Sequence, residues 1–109
     1  MEAALKAIAE PHRRQILRLV REGEMTAGEI ASHFEITRPA ISQHLTVLKD
    51  AGLLAERREG TKRIYRLRPE GVRELRDFIE EMWTEPAVIR RGAEREERKR
   101  QGADPARGR

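Results

Sequence analysis

The chain has 109 residues, 38% hydrophobic and 39% charged, with a formal net charge of +4 and a pI near 10.1. That length fits one small domain, and so much charge places part of the chain outside any core. The absence of Cys excludes disulfides, thiolate metal sites and cysteine nucleophiles together, and no apolar run approaches the ~20 residues that span a bilayer.

The opening MEAALKAIAEPHRR lacks the apolar stretch and cleavage site of a signal peptide. A soluble, cytoplasmic protein with no membrane contact is expected. The basic pI points to an anionic partner, nucleic acid among them. Arg outnumbers Lys, 19 to 4; its fork of donors suits phosphates and guanine edges, although genome composition alone would also produce the bias.

Taken in order, AALKAIA (Ala3–Ala9) is a short helix with Leu5 and Ile8 on one side. Glu10-Pro11 ends it, because the residue before Pro avoids the α region, and Pro11 opens the next helix, where its missing N–H costs little. HRRQILRLVRE carries Ile16, Leu17 and Val20 at helical spacing and stops at Gly23. Thr26 with Glu29 makes a capping box for AGEIASHF, whose Ile30, Ala31 and Phe34 face inward. Thr37 caps the following helix, which buries Ile41, Leu45 and Leu48 at i, i+4 and i+7 and ends at Gly52.

From Leu54 to Arg68 the period shifts. LLAERR and KRIYRLR read as two strands around a hairpin tip at Glu59-Gly60-Thr61. Tyr65 and Leu67 take one face of the second strand and Ile64 the other. Pro69-Glu70 opens a last helix bearing Val72, Leu75, Phe78, Ile79, Met82 and Trp83, which Pro86 stops or bends. RRGAEREERKRQGADPARGR (Arg90–Arg109) has almost no apolar residue to offset its ordering entropy. The expected organisation is therefore a domain over 1–89 and a charged, disordered tail over 90–109.

The fold class is mainly α (α+β): five helices and a two-stranded β-hairpin. The short helix, the turn and the Thr37-capped helix form a helix-turn-helix, and the hairpin is its wing. On the helix face opposite the buried stripe lie Arg38, Ser42, Gln43 and Thr46. They are hydrogen-bonding and mostly short, so the helix approaches base edges closely. No acid occurs there until Asp50, as a surface that meets phosphates requires. Arg57, Arg58, Lys62, Arg63, Arg66 and Arg68 crowd the hairpin against Glu56 and Glu59 alone, a cationic loop able to follow a phosphate strand or enter a minor groove. A merely solvated hairpin is the alternative, weakened by its place directly after the helix-turn-helix.

TRPAISQHLTVLKDAGLL, with EPHRRQILRLV before it and EGTKRIYRLRPEG after it, resembles the ArsR/SmtB family of winged helix-turn-helix transcriptional regulators over roughly Leu5 to Trp83. The resemblance implies a homodimer through the first and last helices. It further implies an inverted-repeat double-stranded DNA operator and, usually, repression relieved by an effector or exercised with a co-regulator protein. Leu5, Ile8, Leu75, Phe78, Ile79, Met82 and Trp83 would form the interface, and the last helix carries more apolar surface than one small core needs. The family's base-reading positions fall on Arg38, Pro39, Ser42 and Gln43, with His44 beside them; Thr46 joins them from the helical face. Thr37, Arg57, Arg58, Lys62 and Arg63 would meet the backbone.

Many relatives of that kind sense metals, and here the sequence departs from them. Thr26 stands where one ligand set has a Cys, and a second set falls on Pro69, Gly71, Met82 and Glu85, of which only Glu85 is a donor. His12, His33 and His44 show no i, i+4 pair and read as surface or packing histidines. No cofactor and no metal site is expected, with a metal effector left open. A winged-helix protein-interaction module is the competing reading, since fold does not fix function. An enzyme is disfavoured by the lack of a nucleophile–base pair, a phosphate loop or paired carboxylates in an apolar cleft.

Overall fold

The computed structural model describes residues 1–84. Pro86, Glu85, the 89/90 boundary and the tail lie outside the described residues. Residues Met1–Asp77 form one compact unit, and a second begins at Phe78.

Helices α1 (Glu2–Ala7) and α2 (Pro11–Arg21) are joined by a tight corner. The Glu10 side chain caps α2 by accepting from Arg13 N at 3.0 Å. Arg13 and Arg14 then turn back onto α1: Arg13 Nε donates to Ala7 O at 2.7 Å, and Arg14 Nη1 to Ile8 O at 2.9 Å and Ala9 O at 3.1 Å. These guanidinium groups satisfy carbonyls that a six-residue helix leaves open at its C-terminal end.

Strand β1 (Met25–Thr26) leads into α3 (Ala27–Ala31), which carries the expected capping box: Glu29 N donates to Thr26 Oγ1 at 3.1 Å, and Thr26 N to Glu29 Oε1 at 2.8 Å. Helix α4 (Arg38–Asp50) starts at Thr37, whose Oγ1 accepts from Ala40 N at 3.2 Å. It ends in a Schellman turn. Gly52, at φ +80°, donates its N–H to Lys49 O, and the Leu53 N–H reaches Leu48 O, each at 3.0 Å.

Strands β2 (Leu54–Glu59) and β3 (Lys62–Leu67) form the hairpin, in register Leu54↔Leu67 through Glu59↔Lys62. Its two-residue loop places Gly60 first, at φ +66°, the position a type II′ turn reserves for glycine. The expected two-stranded hairpin is extended to three strands in the order β1-β3-β2, because Met25 and Thr26 pair antiparallel with Tyr65 and Ile64. Ile64 and Tyr65 point to opposite faces of β3 and are both buried, and α2 and α3 both pack against this strand.

Helix α5 (Pro69–Trp83) closes the described chain. The core gathers Ile16 and Val20 of α2, Ile30 of α3, Ile41, Leu45 and Leu48 of α4, then Leu53, Leu54, Tyr65 and Leu75. Each fully buried aliphatic side chain contributes about 1.5–3 kcal/mol. The consequence for function is positional. The buried stripe of α4 seats that helix on α1, α2 and α3, which leaves its other face at the surface.

Candidate nucleic-acid interface

Ser42, Gln43 and Thr46 are exposed on α4, with Arg38 and Pro39 exposed in its first turn. Thr37, Pro39, Ala40, Ser42, Gln43, Thr46 and Val47 line one open groove of about 750 Å³. A second groove, of about 530 Å³, runs between the start of α3, helix α4 and the wing tip. Arg38, Ser42, Thr61, Lys62 and Arg63 line it with Thr26 and Gly28. Ser42 belongs to both grooves, so helix and wing present one continuous surface. No carboxylate lines either groove. The contribution of the α3 start, from Thr26 to Gly28, escaped sequence reasoning; only its position at the opening of the helix-turn-helix could have suggested it.

The wing cations are not equivalent. Register sets Arg58 directly opposite Arg63, and like charges so placed repel, which a polyanion relieves. Arg57 points to the other face, where its guanidinium meets Glu24 at 2.8 Å and Glu59 at 3.8 Å. Hydrogen bonding to Glu24 holds Arg57 more firmly protonated than usual. Glu56 lies between Lys49, at 2.9 Å, and Arg63, at 3.4 Å; the hydrogen bond from Lys49 holds its carboxyl below the usual range. Among the described residues Arg38, Arg58 and Lys62 enter no ion pair.

Comparison with known proteins agrees with this geometry. The sequence profile of the bacterial regulatory protein, arsR family, matches residues 10–56. The HTH-type transcriptional regulator Rv2034 of Mycobacterium tuberculosis is 41% identical over 83 residues, 76% of this chain and 78% of that protein. The chain belongs to the ArsR family. The transcriptional repressor SdpR of Bacillus subtilis is 50% identical over 60 residues, 55% of this chain and 67% of SdpR. Among solved structures, a possible transcriptional regulator for arsenical resistance superposes with a TM-score of 0.71 at 42% identity, covering 84% of this chain and 94% of that one. The homodimeric winged helix-turn-helix DNA-binding domain Mb0332 of Mycobacterium bovis gives 0.62 at 34% identity, covering 74% and 75%. This ArsR-family chain is a winged helix-turn-helix transcriptional regulator, and DNA is what such regulators bind.

Two expected assignments are corrected by position. His44 does not face the grooves. It lies three residues after Ile41, on the flank of the buried stripe, and is half-buried. Its Nδ1 is 3.3 Å from Arg13 Nη1, and its ring stacks on His12 with centroids 5.5 Å apart. Burial, first among several causes, pushes its pKa down. Leu75, expected between protomers, is only 8% exposed and belongs to the core. Leu5 and Ile8 pack partly against that core, and Phe78 is half-buried. Ile79, Met82 and Trp83 are 55%, 65% and 70% exposed.

Proposed function

We propose that this regulator binds an inverted-repeat operator as a homodimer and represses transcription by occupying it. Helix α4 enters the major groove with Arg38, Ser42, Gln43 and Thr46 toward base edges, and Pro39 packs beside them. Thr37, Arg58, Lys62 and Arg63 take backbone phosphates. Arg57, already paired to Glu24 and Glu59, contributes less. The carrying observation is the continuous strip across the α3 start, α4 and the wing tip, which offers cations, hydroxyls and an amide without one carboxylate. In this reading residues 1–89 are the DNA-binding and dimerisation domain, 90–109 a charged appendage, and the protein works by binding rather than catalysis, in the cytoplasm.

Dimerisation is supported by the large exposed apolar side chains Ile79, Met82 and Trp83 on one short helical stretch, a patch that normally marks an interface. The Mb0332 domain is described as homodimeric, and the repressor SdpR supports the sign of regulation.

Fluorescence anisotropy on the chain's own upstream DNA tests the reading. Replacing Ser42 and Gln43 together by Ala costs about 1–3 kcal/mol for each base interaction removed and narrows the preference over random DNA. Operator affinity unchanged by the double substitution refutes the assigned face. Absent or salt-insensitive binding of the unaltered protein favours a protein-interaction module.

A further inference from the structure

Histidines that no sequence spacing connects meet at the joint between α2 and α4. His12 is the second residue of α2 and His44 lies in the middle of α4. Their rings stack with centroids 5.5 Å apart and planes 21° apart. Glu10, the cap of α2, sends Oε2 to His12 Nδ1 at 2.9 Å, while its other oxygen accepts from Arg13 N. One donor atom from each of Glu10, His12 and His44 lies within 4.8 Å of the other two, and all three residues are half-buried. None of them lines either groove of the DNA-facing surface.

We propose that Glu10, His12 and His44 bind a divalent transition ion of the zinc class, tying the start of α2 to α4. Two imidazoles and one carboxylate form a donor set suited to a borderline cation, with solvent completing four-coordination. Bonds of ~2.0–2.1 Å put neighbouring donors about 3.3 Å apart in a tetrahedron. Glu10 Oε2 and His12 Nδ1, 2.9 Å apart across a hydrogen bond, open by about 0.4 Å as an ion replaces the proton, and a His44 ring nitrogen lies within 4.8 Å of a donor atom of each. A carboxylate and two neutral imidazoles are the forms that ligate, so loading releases the proton now shared by Glu10 and His12.

Arg13 is the internal competitor. Its Nη1 lies 3.3 Å from His44 Nδ1 while its Nε holds Ala7 O. An ion that takes Nδ1 displaces this guanidinium, and one that takes Nε2 reverses the tautomer that Arg13 now favours. Either way, loading alters the contact that joins α1, α2 and α4. The regulatory meaning rests on α4 being the DNA-reading helix; the metal site itself does not.

The chain has three histidines, so imidazole ¹H–¹⁵N spectra of the full chain resolve each during titration with zinc chloride. The expected result is that His12 and His44 signals move and saturate near one equivalent per chain. His33 stays still, and His12→Gln abolishes the change. Glu10→Gln keeps an oxygen for the Arg13 N–H, so α2 stays capped, and weakens zinc at least tenfold. Unmoved His12 and His44 signals, or zinc affinity unchanged in His12→Gln, overturns the site. Operator affinity is then measured with and without zinc. A change of threefold or more that His12→Gln removes supports the regulatory role, and equal affinity overturns that role. A loaded site on a protein that binds no DNA overturns the reading of α4 and leaves the site standing.

Discussion

Gly71 sits in the first turn of α5, where helix propensity alone asks for Ala. A Cβ built there would lie 2.1 Å from Gly52 O, 2.9 Å from Gly52 C and 3.5 Å from Leu53 Cδ2. The first two contacts are with backbone, so neither neighbour can rotate away. Gly52 is itself fixed as the left-handed residue of the turn that ends α4, and Arg68 N donates to Leu53 O at 2.9 Å just beside it. Relief therefore requires the start of α5 to move by roughly an ångström from the end of α4, a scale at which overpacking costs ~1–3 kcal/mol. Against this, Ala regains about 1 kcal/mol of helix propensity over Gly. The clash wins because it falls on two rigid turns at once, which puts its cost in the upper part of that range, ~2–3 kcal/mol. Gly71→Ala should lower stability by a net ~1–2 kcal/mol, or about 4–8 °C of Tm for each kcal/mol in a domain of this size. Urea and thermal unfolding of the two proteins side by side measure it. Stability equal to or above that of the unaltered protein would refute the close approach of α5 to the Gly52 carbonyl.

The wing makes a second, purely ionic prediction. Arg58→Ala should reduce the slope of log affinity against log salt by ~0.9 for each phosphate no longer neutralised, with two wings in a dimer. Arg57→Ala should change it by less than half as much, since Arg57 is engaged by Glu24 and Glu59; equal changes in a salt series would show that the ion pairs do not decide which cations reach phosphate. Thr26→Ala removes the acceptor of Glu29 N and should cost about 1 kcal/mol in chemical denaturation. Glu56, its carboxyl held low by the Lys49 hydrogen bond, carries its stabilisation fully above the unfolded carboxylate pKa and loses it as pH falls through the lower folded value. The stability gap between the unaltered protein and Glu56→Gln should thus be present at pH 7 and close in that acid window; a gap constant with pH would mean that the Lys49 pair contributes nothing.

What could be read from the sequence was what neighbouring residues decide. Thr26 with Glu29, Thr37, Pro11 and Gly52 fix helix ends through hydrogen bonds spanning a few positions, and each lies where those rules put it. The stripe of Ile41, Leu45 and Leu48 is a matter of period, and it is buried. Period also placed Ser42, Gln43 and Thr46 on the outer face. Strand β1 was not legible, because two residues carry no period and Met25-Thr26 becomes a strand only by pairing with β3. Ile64 and Tyr65 lie on opposite faces of β3 and are both buried, which depends on the elements packed against that strand and which strict alternation could not foresee. The requirement at Gly71 was not legible either, because it comes from a carbonyl nineteen positions earlier in the chain.

His44 shows how the same limit bears on function. Its place in SQHL, directly after two outward residues, put it with the base-reading group. A helix turns about 100° per residue, so the step from Gln43 to His44 carries the side chain off the outer face and toward α2. There its partners are Glu10, His12 and Arg13, residues thirty-one or more positions away, and no linear spacing announces them. The outer face of α4 and its flank can therefore serve different ends. Ser42 and Gln43 face the grooves, whereas His44 registers the state of the joint on which α4 is seated. A ligand that rearranges Glu10, His12 and Arg13 need not touch the operator to alter how α4 is presented to it.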